Sequence, residues 1–169
     1  MKPYKLTITA GALFASLALG TAAVAADLPK EGSFQGTYTS FGTAKFSKAG
    51  EHTFMIFDET GAQLTNGFAD HVTFHCWGTG DDTNGVSIDL GYCVGIDPAG
   101  DQLALQFSDE KHTDQEKSWK GSATLISGSG KFAGVSGNVT YVNHSREFRP
   151  LVEGTYVDYV TLEGRYKLP

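Results

Sequence analysis

Cysteine is nearly missing from this 169-residue chain, which has two, Cys76 and Cys93. They form no Cys-x-x-Cys motif, so a redox pair has little support, and no Cys/His cluster suggests a zinc finger. Basic residues are also scarce. Thirteen Lys and Arg against nineteen Asp and Glu give a net charge of −6, without the basic footprint that nucleic acid requires. No H-E-x-x-H, nucleophile elbow, P-loop or dinucleotide fingerprint occurs. Beyond the N-terminus there is no span-length apolar run, and no stretch sustains a 3.6-residue period. Disorder is excluded by a composition of 40% hydrophobic and 12% aromatic residues.

The N-terminus reads as an address. Lys2 and Lys5 precede an uncharged apolar stretch from Leu6 to Leu19, and Ala23-Val24-Ala25 satisfies the small-x-small cleavage rule. Residues 1–25 are expected to be a secretory signal peptide cut before Ala26, with a retained anchor as the alternative. Residues 26–169 then form one exported domain, periplasmic or secreted, with no membrane partner after cleavage. No Cys lies near the cut to carry a lipid.

Short apolar runs punctuated by Gly, Asn and Asp fill the rest, and Gly alone accounts for 21 residues. The pattern predicts about eight strands, at Ser33–Phe46, His52–Glu59, Gly67–Trp77, Gly85–Asp97, Gln102–Ser108, Lys117–Ser127, Gly137–Asn143 and Gly154–Tyr166. The expected fold is all-β, a single antiparallel eight-stranded barrel of calycin-like form, because closure removes exposed edges. The charged link Asp109–Glu116 reads as a solvated loop. The link His144–Glu153 reads as a segment at the barrel mouth.

Asn84-Gly85 is a strong hairpin signal, since a type I′ turn needs positive φ at both central residues. Centring the hairpin there pairs Thr83 with Val86, Trp77 with Tyr92 and Cys76 with Cys93. The two cysteines land on a non-hydrogen-bonded pair, the close kind, which predicts a cross-strand disulfide in an oxidising compartment. Closing that loop contributes roughly 3 kcal/mol, less what the turn already restrains. On the second strand Val86, Ile88, Leu90, Tyr92, Val94 and Ile96 share one side, expected to face inward. His71, Thr73, His75 and Trp77 would then line the interior of the first strand. A bulge between Val72 and Trp77 would instead turn Val72 and Phe74 inward and the histidines out.

That mixed wall suggests a ligand cavity, with His71, Thr73, His75, Trp77 and Tyr92 as binding residues. His75 and Tyr92 are the candidate proton shuttles should chemistry occur. His71 and His75 are four residues apart on a strand, about 13 Å, too far to share a metal, so no metal site is expected. Arg146 and Arg149, with His144, make the basic cluster, suited to a carboxylate at the mouth or to local pairs with Glu147 and Glu153. Asp81 and Asp82 read as turn chemistry.

Gly128-Ser129-Gly130-Lys131-Phe132-Ala133-Gly134-Val135-Ser136-Gly137 resembles the G-x-G-[KR]-F-A-G-x-x-G signature of the allene oxide cyclase-like and dirigent-like barrels. Cys76-Trp77-Gly78 and Gly91-Tyr92-Cys93 are similar to pieces of exported bacterial members of that group. The resemblance implies an eight-stranded barrel with Phe132 tucked beneath it. It also implies a lumen in which reactive small molecules are steered without a cofactor. The expected function is therefore binding of a small apolar or amphipathic molecule in the lumen. A cofactor-free isomerase or cyclase in the same cavity is the alternative, and a structural protein with a filled barrel the third. Assembly into a homo-oligomer is left open.

Overall fold

A computed structural model describes residues 28–169. The signal-peptide expectation for residues 1–25 lies outside them. Nine strands follow in order: β1 (Glu31–Ala49), β2 (His52–Thr65), β3 (Val72–Thr83), β4 (Val86–Ile96), β5 (Gln102–Asp109), β6 (His112–Thr113), β7 (Trp119–Gly128), β8 (Ser136–Asn143) and β9 (Thr155–Lys167). Eight of them run antiparallel in the order β3-β2-β1-β9-β8-β7-β5-β4, and β3–β4 pairing closes the barrel. The two-residue β6 lies outside that ring on β4, where His112 pairs with Ser87 and Thr113 with Val86.

Three strand expectations shift. The second strand runs on to Thr65 rather than ending at Glu59. The stretch from Gly67 to His71 is a loop, not the start of a strand; Ala69 and His71 take positive φ there, which a strand cannot accommodate. Asp109, expected in a solvated loop, ends β5 and is buried.

The hairpin register holds without a slip. Asn84 and Gly85 have φ of 56° and 78°, and pairing is continuous from Thr73↔Ile96 to Thr83↔Val86. Cys76 and Cys93 are bridged, with Cα atoms 4.0 Å apart.

The facing of that hairpin is the reverse of the expectation. Val86, Ile88, Leu90, Tyr92, Val94 and Ile96 stand on the outer wall, each between 36% and 48% exposed. Their alternates Gly91, Cys93 and Gly95 are buried. On β3, Val72, Phe74 and Cys76 point inward, while Thr73, His75 and Trp77 point out. No bulge is involved, because the β3–β4 register is unbroken.

The physical reason is volume. Large inward aromatics lie directly across from glycines on the neighbouring strand: Phe57 opposite Gly78, Phe107 opposite Gly91, Phe74 opposite Gly95, Tyr141 opposite Gly121, Tyr156 opposite Gly42 and Phe34 opposite Gly164. A Cβ on Gly121 would sit 2.2 Å from the Tyr141 ring, and one on Gly42 2.3 Å from that of Tyr156. Each ring therefore lies flat over bare backbone, a packing that needs the small side of β4 to face inward. A half-filled side of Val, Ile and Leu there would collide with Phe107, Phe74 and the disulfide.

One end of the barrel is sealed. Phe68, from the β2–β3 loop, stacks on Tyr166 at 4.1 Å between centroids and meets Phe132 edge-on at 5.4 Å. Phe132, in a short 3-10 turn (Gly130–Phe132), is fully buried beneath the barrel. Lys131 in that turn pairs with Asp97 at 2.5 Å and fixes the turn to the end of β4.

Gly121→Ala is expected to destabilise the protein by about 1–3 kcal/mol through overpacking against Tyr141. Urea unfolding checks this, and an unchanged midpoint would show that the ring does not need the bare backbone.

Candidate functional site

The sealed floor and open mouth leave a lumen of about 590 Å³. Its lower half is apolar, lined by Phe34, Phe68, Phe74, Leu103, Leu125 and Val160 together with the disulfide. Its upper half is acidic. Glu59 on β2, Asp89 on β4, Asp109 on β5 and Asp158 on β9 all line it, interleaved with Tyr38, Tyr141 and Tyr156. Strand alternation explains this: each acid lies two or four residues along its strand from an apolar lumen residue, on the same face.

Most of these groups are held by hydrogen bonds. Glu59 accepts from Ser40 Oγ at 2.8 Å and from the Tyr38 hydroxyl at 3.2 Å. Asp109 accepts from the Tyr141 hydroxyl and from Trp119 Nε1–H, both at 2.5 Å. Asp158 accepts from Asn143 Nδ2 at 2.8 Å and from Ser145 Oγ. Asp89 has no hydrogen-bond partner among the described residues; its carboxylate lies over Gly80, where a Cβ would be 2.1 Å from Oδ1. The Tyr156 hydroxyl is buried and likewise has no partner among the described residues.

Burial raises all four carboxyls above their ordinary range, most of all Asp158, where the charge of Glu59 adds to it. Asp89 is pushed up to about 7 by burial and by Asp109, against the pull of Arg146. For Asp109, burial prevails over the bonds from Tyr141 and Trp119 and over nearby His112. Burial and the adjacent carboxylates keep Tyr38, Tyr141 and Tyr156 protonated above the normal tyrosine range.

The sequence-predicted site residues are mostly elsewhere. His75 is on the outer wall, 2.8 Å from Asp58, with Trp77 beside it. Thr73 and Tyr92 are also outside. His71 is exposed below the barrel, paired with Asp70 at 2.8 Å. Arg149 is exposed and does not line the lumen. Arg146 does reach the mouth, but its guanidinium is taken up by the carbonyl oxygens of Thr113 and Glu116 and lies 5.0 Å from the Trp119 ring. His144 pairs locally with Glu147 at 3.1 Å. Asp82, as expected of turn chemistry, accepts from Gly85 N–H and Ser87 Oγ.

Two of the acids, Asp89 and Asp158, are hidden in the sequence because they alternate with apolar residues that themselves look like an interior face. Asp89 is the clearest case: it shares a side with Gly91 and Cys93, and that side reads as solvent until the glycines are matched to aromatics across the strand. No protein-family model matches the chain, and no curated protein matches it in sequence.

The raised carboxyls fix a pH dependence. In each, the folded state holds its proton to higher pH than the unfolded chain, whose carboxyls titrate near about 4. The stability is therefore full below that value and is lost as pH rises through the folded range, which for Asp89 extends to about 7. Asp70 and Asp97, where hydrogen bonds and ion pairs outweigh burial, are lowered and act only on the acid side of this window. The melting temperature is expected to fall between pH 5 and pH 8, and Asp158→Asn to flatten that slope. A melting temperature constant or rising over this interval would contradict the assignment.

Proposed function

We propose that the barrel binds a small amphipathic molecule in its lumen. The apolar body lies toward the aromatic floor, and a hydrogen-bond-donating or cationic head lies among Glu59, Asp89, Asp109 and Asp158. The observation that carries this is the lumen itself: about 590 Å³, open at one end, with an apolar floor and an acceptor-rich upper half. Ligand sites have this size and this mixture of apolar lining with a few convergent polar groups. A barrel serving only as structure would fill the space with its own side chains. An anionic head is disfavoured, because Arg146 already serves backbone carbonyls while four acids face inward.

The enclosed disulfide supports an exported, oxidising setting. The closed eight-stranded barrel and the burial of Phe132 beneath it support the resemblance to allene oxide cyclase-like barrels. One observation favours a second reading, a cofactor-free isomerase or cyclase in the same lumen. The Tyr156 hydroxyl is buried beside the Glu59 carboxyl, which raises its pKa, and the pair lines the lumen where a bound substrate would meet it. His75 and Tyr92, on the outer wall, cannot serve that role.

Displacement of Nile red tests the binding. Decylammonium is expected to displace the dye from the wild type, decanoate to do so far less, and Ala123→Phe, which fills the lumen, to lose dye binding while remaining folded. Dye binding unaffected by Ala123→Phe would place the probe outside the lumen and overturn the proposal.

A further inference from the structure

The rim of the lumen gathers a histidine and two carboxylates from three strands. After Asp109 the chain leaves β4, turns through Glu110 and Lys111, and rejoins it at His112, opposite Ser87. The β4–β5 register, running Ile96↔Gln102 to Leu90↔Ser108, brings Asp109 alongside Asp89. One ring nitrogen of His112 and one oxygen from each of Asp89 and Asp109 lie within 4.8 Å of one another. Two like charges on adjacent strands facing a shared interior are unfavourable unless something neutralises them.

Further features point to a bound cation rather than to a chance meeting of acids. His112 is buried, 3% exposed, and its Nδ1 is 3.1 Å from the Glu110 carbonyl oxygen. A carbonyl only accepts, so Nδ1 carries a hydrogen, and Nε2, which has no partner among the described residues, is the nitrogen whose lone pair a metal would take. That backbone bond is the usual support of a metal-ligating histidine. The ring is also fixed by stacking on Trp119, with centroids 4.4 Å apart and planes 7° from parallel. Asp109 is oriented at both oxygens, by Trp119 Nε1–H and the Tyr141 hydroxyl. Asp89 lies over a cradle on Gly80 that a Cβ would fill. The nearby cation, Arg146, is tethered to the Thr113 and Glu116 carbonyls.

We propose that Asp89, Asp109 and His112 form a site for one divalent transition-metal ion, of the kind zinc occupies, at the mouth of the barrel. One imidazole nitrogen and two carboxylate oxygens suit zinc, manganese or ferrous iron, whereas calcium would take six to eight oxygens. The remaining positions face the lumen, where water completes the coordination. The site shares Asp89 and Asp109 with the lumen-binding proposal but rests on a different observation, the convergence of His112 with these two acids.

Titration calorimetry of the untagged protein with zinc chloride, repeated with calcium chloride, tests the site. One zinc per chain is expected, with calcium far weaker. His112→Phe, which retains the stacking on Trp119 but removes the nitrogen, is expected to abolish zinc binding. Trp119→Phe, which removes the hydrogen bond to Asp109 while leaving an aromatic ring beside His112, is expected to weaken it about 10–100-fold. Asp58→Asn on the outer wall leaves it unchanged. A folded wild type that takes up no zinc, or a His112→Phe variant that binds it as the wild type does, overturns the proposal. Because the probe is the metal alone, failure here is separate from failure of dye displacement.

Discussion

The packing of aromatic rings over glycines on the adjacent strand is the constraint from which the rest of this structure follows. An eight-stranded barrel has little interior, and a Phe or Tyr on every strand would overfill it. Setting each ring flat on bare backbone lets six such pairs line the wall and still leaves a lumen. The same pairing decides which side of β4 faces inward. It also accounts for part of the high glycine content, six residues that make space for neighbouring rings, beside those that serve turns at positive φ such as Gly85 and Gly100.

The lumen that remains is divided along the barrel axis. Phe68 and Phe132 close the floor with ring contacts, so that end is apolar and buried. At the other end four acids are set into the wall with no equal number of cations. Keeping them there costs stability, and the bonds from Ser40, Trp119, Tyr141, Asn143 and Ser145 offset only part of it. A cost retained inside a barrel that could have been packed with Leu and Val points to a use for the acceptors.

Much of the fold was legible in the sequence. The Asn84-Gly85 turn set a register that placed the only two cysteines opposite each other, because turn geometry is local and pairing follows from it by counting. Strand number was legible from the turn punctuation, and the burial of Phe132 from the resemblance of its glycine-rich segment. Facing was not. Alternation says that Val86 and Ile88 share a side, but not which side, and the deciding partners Phe107 and Phe74 come from other strands. The site inherited this error: His75 and Tyr92 were assigned inward with the apolar stripe, and Asp89 outward with the glycines. Asp109 and His112 were hidden differently, in a charged segment whose return to β4 through the two-residue β6 carries no sequence signal.

The central claim is that this lumen is a ligand site and not a packing residue of the fold. Comparing the native and denatured mass spectra of the purified protein tests it most directly. The account predicts an extra mass in the native spectrum, lost on denaturation and absent from Ala123→Phe. Identical native and denatured masses for wild type, together with no small molecule retained on exposure to amphiphiles, would contradict it.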